Sequence, residues 1–217
     1  MVQVKICGLK TVEAVEAAIL YGADFIGFVH FPKSPRHVSL AEAGKLADLA
    51  RGRVKTVLLL VNPGHALIDE ATRIVAPDFI QLHGSESLDD VRAIRLRANL
   101  PVIKAVAVET GQDVEAAAPY AEAAELLLFD AKPPKDAPLP GGNGIPFDWS
   151  VLSGFNSDKD YMLSGGLDPQ TVARAVRMTG AAIVDVSSGV ESAPGIKDLE
   201  KIRQFIEQAK TGAQARK

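Results

Sequence analysis

Short runs rich in Val, Ile, Leu and Phe recur along the chain and alternate with longer stretches rich in Ala, Leu and Glu. Most of these runs lack the strict alternation of a half-exposed strand, so they predict strands of a parallel sheet that is covered on its outer face. The runs are VQVKIC, DFIGFVH, VKTVLLLV, DFIQLH, PVIKAVAV, ELLLFDA, DYMLSG and AIVDVSS, and they begin near residues 2, 24, 54, 78, 101, 125, 160 and 182.

The stretches between these runs place apolar residues at helical spacing. We predict helices over 11–23, 39–52 and 169–180, with N-caps at Thr11, Ser39 and Asp168. Pro169 then lies in the first turn of the third helix, where a missing backbone N–H removes no helical hydrogen bond.

Eight strands separated by helices match a (β/α)8 TIM barrel, an α/β fold with eight parallel strands that needs roughly 200 residues. The alternative is a doubly wound open sheet, which carries G-x-G-x-x-G after its first strand when it binds dinucleotides. The stretch KICGLKTVEA has one glycine, so that fingerprint is absent. We therefore predict a single barrel domain over residues 1–217. A Pro- and Gly-rich segment, 131–149, follows the sixth strand, and long loops of this kind often serve function.

Composition and charge narrow the classes of function. The chain has 217 residues, of which 47% are apolar and 24% charged, as in a globular protein with a sizeable core. A net charge of -3 offers no basic field, so neither nucleic acid nor a membrane surface is an expected partner. One cysteine excludes an internal disulfide, and the N-terminus lacks the apolar stretch of a signal peptide. These features predict a cytoplasmic protein.

Small residues follow the seventh and eighth strands, in LSGGLDP (163–169) and DVSSGVE (185–191). In TIM barrels the loops after these two strands commonly bind phosphate through backbone N–H groups. Two ordinary βα turns would have the same composition, but their pairing at these strands favours a phosphate site. The candidate residues are Gly165, Gly166, Ser187, Ser188 and Gly189.

Polar residues at two other strand ends are candidates for chemistry. Asp130 ends the sixth strand, and the prolines that soon follow disfavour a helix N-cap there. A carboxyl group at the barrel mouth can act as a general acid, although a plain surface carboxylate is the alternative. Arg36, in HFPKSPRHVS after the second strand, offers a planar fork for a carboxylate, although a solvated basic loop has the same pattern.

Gln3, Lys5 and Cys7 share one face of the first strand. A lysine on the helix-covered side would be unusual, so we predict that this face points inward and that Lys5 pairs with Asp185 on the neighbouring eighth strand. The cation beside Cys7 is expected to lower the pKa of the thiol. Cys7 and Asp130 would then flank a substrate from nearly opposite sides, as a base and an acid for different atoms.

His30 and His83 end the second and fourth strands. Neither has the Asp or Glu companions of a metal cluster, so we predict no metal site. Their expected role is structural or supporting hydrogen bonding. We count His83 and Asp185 among the candidate substrate-binding residues.

Seven segments together resemble the phosphoribosylanthranilate isomerase family of tryptophan biosynthesis, and they cover almost the whole chain in order. They are KICGLK, GFVHFPKSPR, QLHGSE, LLFDAK, GGNGIPFDW, LSGGLDP and DVSSGVESAPGIKD. The resemblance implies a single-domain barrel, without metal or organic cofactor, that converts N-(5-phosphoribosyl)anthranilate to 1-(2-carboxyphenylamino)-1-deoxyribulose 5-phosphate. His30 departs from the aromatic or aliphatic residue that the family favours.

The resemblance also implies roles for the candidate residues. Cys7 would be the general base and Asp130 the general acid, Arg36 would bind the anthranilate carboxylate, and the turns at 165–166 and 187–189 would bind the phosphate. The expected partner is a small phosphosugar–anthranilate substrate; a monomer is preferred and a homodimer is left open. The alternatives are a metal-dependent epimerase, a histidine-pathway isomerase and a phosphosugar-binding protein without catalysis, none of which needs both Cys7 and Asp130.

Overall fold

All eight predicted strands are present and close into a parallel barrel in chain order, with β8 hydrogen-bonded to β1. The computed structural model describes residues 1–133, 141, 147–155 and 160–214, with the backbone alone at 153, 154, 213 and 214. The strands are β1 (Gln3–Cys7), β2 (Phe25–Val29), β3 (Lys55–Leu60), β4 (Phe79–Leu82), β5 (Val102–Val108), β6 (Leu126–Ala131), β7 (Tyr161–Leu163) and β8 (Ile183–Val186). The prediction of a (β/α)8 barrel is confirmed.

Helices cover the outer face of the barrel. They are α1 (Val12–Leu20), α2 (Leu40–Ala50), α3 (His65–Val75), α4 (Leu88–Ala98), α5 (Gly111–Ala117), α6 (Tyr120–Ala123), α7 (Val172–Thr179) and α8 (Leu199–Gln214). Short 3-10 turns lie at Trp149–Gly154 and Ser188–Val190, and two short strands, β9 (Glu191–Ala193) and β10 (Ile196–Lys197), form a hairpin before α8. Most of the loop 131–149 lies outside the described residues.

The predicted helix starts are confirmed at two of three places. Thr11 caps α1, and Ser39 caps α2 in a capping box with Glu42. The third predicted helix starts later than expected, since α7 begins at Val172. The Asp168 carboxylate accepts hydrogen bonds from the backbone N–H groups of the next turn, which holds that turn outside the helix.

The barrel interior has an apolar part and a polar mouth. Its apolar cluster consists of Phe25, Val57, Ile103, Ala105, Leu128, Met162 and Ile183. Beyond this cluster, the strand ends carry the buried polar side chains of Lys5, Asp130 and Asp185. The strand register therefore gathers polar groups at the C-terminal ends of the strands, where the sequence analysis placed the chemistry. Within the described chain, no helix is both long and apolar enough to span a membrane.

Candidate active site

An ion pair joins the first and last strands inside the barrel. Lys5 is fully buried, lies opposite Asp185 in the β1–β8 register, and places its Nζ 2.7 Å from Asp185 Oδ1. Asp185 Oδ2 accepts a hydrogen bond from Ser164 Oγ at 3.2 Å. Although burial opposes the charge, Asp185 and the Cys7 thiol together raise the pKa of Lys5. The predicted inward face of β1 and the predicted partner of Lys5 are confirmed.

Cys7 lies at the end of β1, where it lines a cavity in the barrel mouth together with Asp130 and Arg36. The cavity opens to solvent. Burial raises the pKa of the thiol, and the attraction of Lys5 and Lys197 does not offset it. The expected lowering of this pKa is therefore wrong: Lys5 acts in that direction, but burial prevails and Asp185 also opposes the thiolate.

Asp130 has a defined orientation at the end of β6. Its Oδ1 accepts a hydrogen bond from the backbone N–H of Ala131 at 2.9 Å, and its Oδ2 lies 3.3 Å from His83 Nε2. The other ring nitrogen of His83, Nδ1, lies 3.0 Å from Gln81 Nε2. With the Gln81 amide in this orientation its nitrogen donates to His83 Nδ1, which leaves Nε2, facing Asp130, as the protonated ring nitrogen. The structure thus places His83 against the candidate acid.

A second recess borders the first and is formed by the loops after β7 and β8. It is lined by Asp130, Ser164, Gly165, Gly166, Leu167, Asp185, Val186, Ser187 and Ser188. Gly165 and Gly166 adopt φ values of 84° and 67°, a left-handed conformation that favours glycine. The recess brings four of the five candidate phosphate residues together.

Gly189, the fifth candidate, lies behind this recess. A Cβ at this position would lie 2.0 Å from the carbonyl oxygen of Leu167, so the two loops touch through the glycine. This contact between the loops, rather than contact with an anion, explains why position 189 is a glycine.

Arg36 is buried, and one edge of its guanidinium already binds a carboxylate. Its Nε and Nη2 donate to Glu191 Oε1 and Oε2 at 2.8 and 3.0 Å. These two bonds fix the orientation of the guanidinium. The sequence analysis missed Glu191 and its second partner Lys197, which lie on the β9–β10 hairpin. The signal available was the charged residues that flank the turn in ESAPGIK.

Comparisons with known proteins agree with this geometry. The model of a family described as N-(5'phosphoribosyl)anthranilate (PRA) isomerase matches residues 4–208. An N-(5'-phosphoribosyl)anthranilate isomerase of Rhodopseudomonas palustris (strain HaA2) is 54% identical over 205 residues, which cover 94% of each chain.

Solved structures give the same result. The crystal structure of phosphoribosyl anthranilate isomerase from Thermotoga maritima has a TM-score of 0.88 and 37% identity, and the alignment covers 97% of this chain and 100% of that one. A phosphoribosyl anthranilate isomerase in complex with reduced 1-(o-carboxyphenylamino)-1-deoxyribulose 5-phosphate has a TM-score of 0.83 and 36% identity, with the same coverage.

Proposed function

The chain belongs to the N-(5'-phosphoribosyl)anthranilate isomerase family, and we propose that Cys7 and Asp130 are the base and the acid of its reaction. The reaction is the Amadori rearrangement of N-(5-phosphoribosyl)anthranilate to 1-(2-carboxyphenylamino)-1-deoxyribulose 5-phosphate in tryptophan biosynthesis. One observation carries the assignment of these residues: Cys7 and Asp130 line one cavity, which borders a recess of glycine and serine loops.

Asp130 donates its proton to the ribose ring oxygen as the C1′–O bond breaks, and the nitrogen lone pair forms an iminium. The Cys7 thiolate then removes the proton from C2′, the electron pair moves toward nitrogen to give an enolamine, and tautomerisation yields the ketone. C2′ is oxidised and C1′ is reduced within the same molecule, so no external electron acceptor takes part. The nearby positive iminium favours the thiolate, which offsets the effect of burial on Cys7.

The two ends of the substrate fit the two ends of the site. The phosphate occupies the recess between the β7 and β8 loops, where Gly165, Gly166, Ser187 and Ser188 supply backbone N–H groups. The anthranilate carboxylate binds Arg36. These two contacts hold the reacting carbons between Cys7 and Asp130. The free energy of binding is thereby used to orient the substrate for reaction. Asp185 supports the site through Lys5 and Ser164 rather than by binding the anion.

Single substitutions test the two roles. We expect Cys7→Ser and Asp130→Asn each to lower kcat by about 10²–10⁴-fold, the usual contribution of a positioned acid or base, with KM little changed. The loss of the substrate's anthranilate fluorescence measures turnover. Asp89→Asn, at an exposed carboxylate on α4, is the matched control and should keep wild-type kcat. Near wild-type kcat in either site variant would show that its residue has no such role.

A monomer, a single domain over residues 1–217 and a cytoplasmic location stay predictions. In the described part of the chain, the exposed large apolar side chains are spread over several elements, which supports a monomer. Examples are Leu20 on α1, Leu96 on α4, Met178 on α7 and Ile196 on β10. Light scattering at several concentrations separates a monomer from a homodimer.

A further inference from the structure

The β9–β10 hairpin carries two buried charges, Glu191 and Lys197, that the proposed reaction leaves without a role. The hairpin packs directly on the loop that holds Arg36, since a Cβ at Gly195 would lie 2.4 Å from the carbonyl oxygen of Pro35. Its charged side chains therefore lie between the β2 and β8 loops, which hold the two ends of the substrate.

Glu191 is the centre of a compact ion cluster. Its carboxylate accepts two hydrogen bonds from Arg36, one from Lys197 Nζ at 2.9 Å and one from the backbone N–H of Gly195 at 3.2 Å. Burial opposes ionisation, yet the bonds from Arg36 and the charge of Lys197 lower the pKa of Glu191. Among the described residues, one carboxylate thus faces two cations. This arrangement fixes the direction of the Arg36 guanidinium.

Lys197 links this cluster to the phosphate loop. Its ammonium has three N–H donors, and three acceptors surround it: Glu191 Oε1 at 2.9 Å, the Ser187 carbonyl at 2.8 Å and Ser187 Oγ at 3.3 Å. Ser187 Oγ in turn donates to the carbonyl oxygen of Cys7 at 3.1 Å. An unbroken chain of hydrogen bonds therefore runs from Arg36 through Glu191, Lys197 and Ser187 to the strand end that carries the thiol.

We propose that Glu191 and Lys197 are positioning residues that hold the carboxylate contact, the phosphate loop and the Cys7 strand end in one rigid frame, and that Lys197 places a positive charge next to the strand end that carries the thiol. The proposal rests on the proposed function, because it gives Arg36, Ser187 and Cys7 their roles in the site.

Three charged groups act on the thiol from the elements around it. Lys5 on the same strand and Lys197 on the hairpin favour the thiolate, whereas Asp185 on β8 opposes it, and β2 and β3 present apolar side chains. Burial lowers the pKa of Lys197 against the attraction of Glu191, so its charge depends on that carboxylate. Loss of either positioning residue is thus expected to weaken the positive charge that favours the thiolate.

Alkylation provides a test that does not depend on turnover. Cys7 is the only cysteine in the chain, so the rate of reaction with iodoacetamide against pH reports its ionisation alone. We expect Lys197→Met to move the midpoint of this profile up by about one pH unit, because a nearby positive charge is lost. Glu191→Gln should move it up as well, because Lys197 loses the carboxylate that holds its charge. Both variants should raise KM by about tenfold, since Arg36 and Ser187 lose their support.

Controls separate positioning from folding. Lys210→Met removes a lysine of α8 that donates a hydrogen bond to the backbone carbonyl of Gly22. This variant should leave the midpoint and KM unchanged. Lys197→Arg keeps the charge but not the three-acceptor geometry, so its midpoint should stay near that of the wild type while KM rises. Equal midpoints for the wild type and Lys197→Met would overturn the proposal, as would a downward shift of the midpoint in Glu191→Gln. Neither result would touch the role of Cys7, which the loss of kcat in Cys7→Ser tests separately.

Discussion

At the scale of single residues, a short hydrogen-bond chain gives the candidate acid one orientation. Gln81 is fully buried, its Nε2 donates to His83, and His83 presents a proton to Asp130. In the described structure Gln81 Oε1 has no hydrogen-bond partner. A buried acceptor left without a partner costs about 1–3 kcal/mol, so we expect an apolar side chain of the same size to be more stable here. Residues kept at such a cost commonly serve the site.

This cost leads to a prediction for Gln81→Met, which keeps the side-chain volume and removes both polar atoms. We expect the free energy of unfolding in urea to rise by about 1 kcal/mol, because a buried unpartnered acceptor disappears. We expect kcat to fall roughly tenfold, because nothing then fixes the His83 tautomer beside Asp130. Gln204→Met on α8 is the control and should leave kcat unchanged. A variant that is less stable and fully active would contradict this role.

The sequence could predict the direction of the Cys7 side chain but not its ionisation. Strand alternation puts Lys5 and Cys7 on one face, and a barrel makes Asp185 the neighbour of Lys5, so the pairing follows from pattern and topology. The pKa depends on how completely the thiol is buried and on how strongly Asp185 neutralises Lys5. Those quantities arise only when distant segments pack together, and they reversed the expected shift.

At the scale of elements, the two loops of the phosphate recess act as one unit because they touch through Gly189 and Leu167. The sequence analysis identified both loops from their small residues, but it could not distinguish glycines that face a ligand from one that faces another loop. The β9–β10 hairpin was missed for a related reason. Its strands have three and two residues, which is too short for any hydrophobic period to show.

The contact between the loops predicts the effect of Gly189→Ala. The added methyl group would lie 2.0 Å from the Leu167 carbonyl oxygen, so the loops must separate and the recess must widen. We expect KM and the inhibition constant of inorganic phosphate both to rise about tenfold, with a smaller change in kcat. Gly111→Ala on α5 is the control, because a Cβ there meets no atom within 4 Å. An unchanged phosphate constant would show that the loop contact does not shape the site.

At the scale of the whole molecule, eight apolar runs and their order were enough to predict the closed barrel, because buried parallel strands carry a strong pattern. The interactions that close the barrel are harder to predict from the sequence. The β7–β8 contact has two register pairs, Met162 with Ile183 and Leu163 with Val184. Next to this short seam, Asp185 on β8 joins β1 through Lys5 and the end of β7 through Ser164. Asp185 therefore adds side-chain links from β8 to both neighbouring strands, including the short seam with β7.

Because this ion pair links β1 to β8, we expect Lys5→Met to lower the stability of the protein strongly. The substitution leaves Asp185 buried without its cation, and breaking a buried pair in this way typically costs about 3–5 kcal/mol. Urea unfolding at pH 7 measures the loss. Lys55→Met is the matched control, because its exposed Nζ lies 5.1 Å from the centre of the Phe25 ring and such a contact contributes about 0.5–1 kcal/mol.

Two further measurements separate an unpaired charge from lost packing. The double variant Lys5→Met/Asp185→Asn should recover most of the stability, because no buried charge is then left unpaired. Because the fold raises the pKa of Lys5, its contribution is complete below the ordinary lysine pKa and declines as pH rises through the folded value. The gap between the wild type and Lys5→Met should therefore narrow in alkaline solution. Equal losses for Lys5→Met and Lys55→Met would show that the barrel closes without help from this pair.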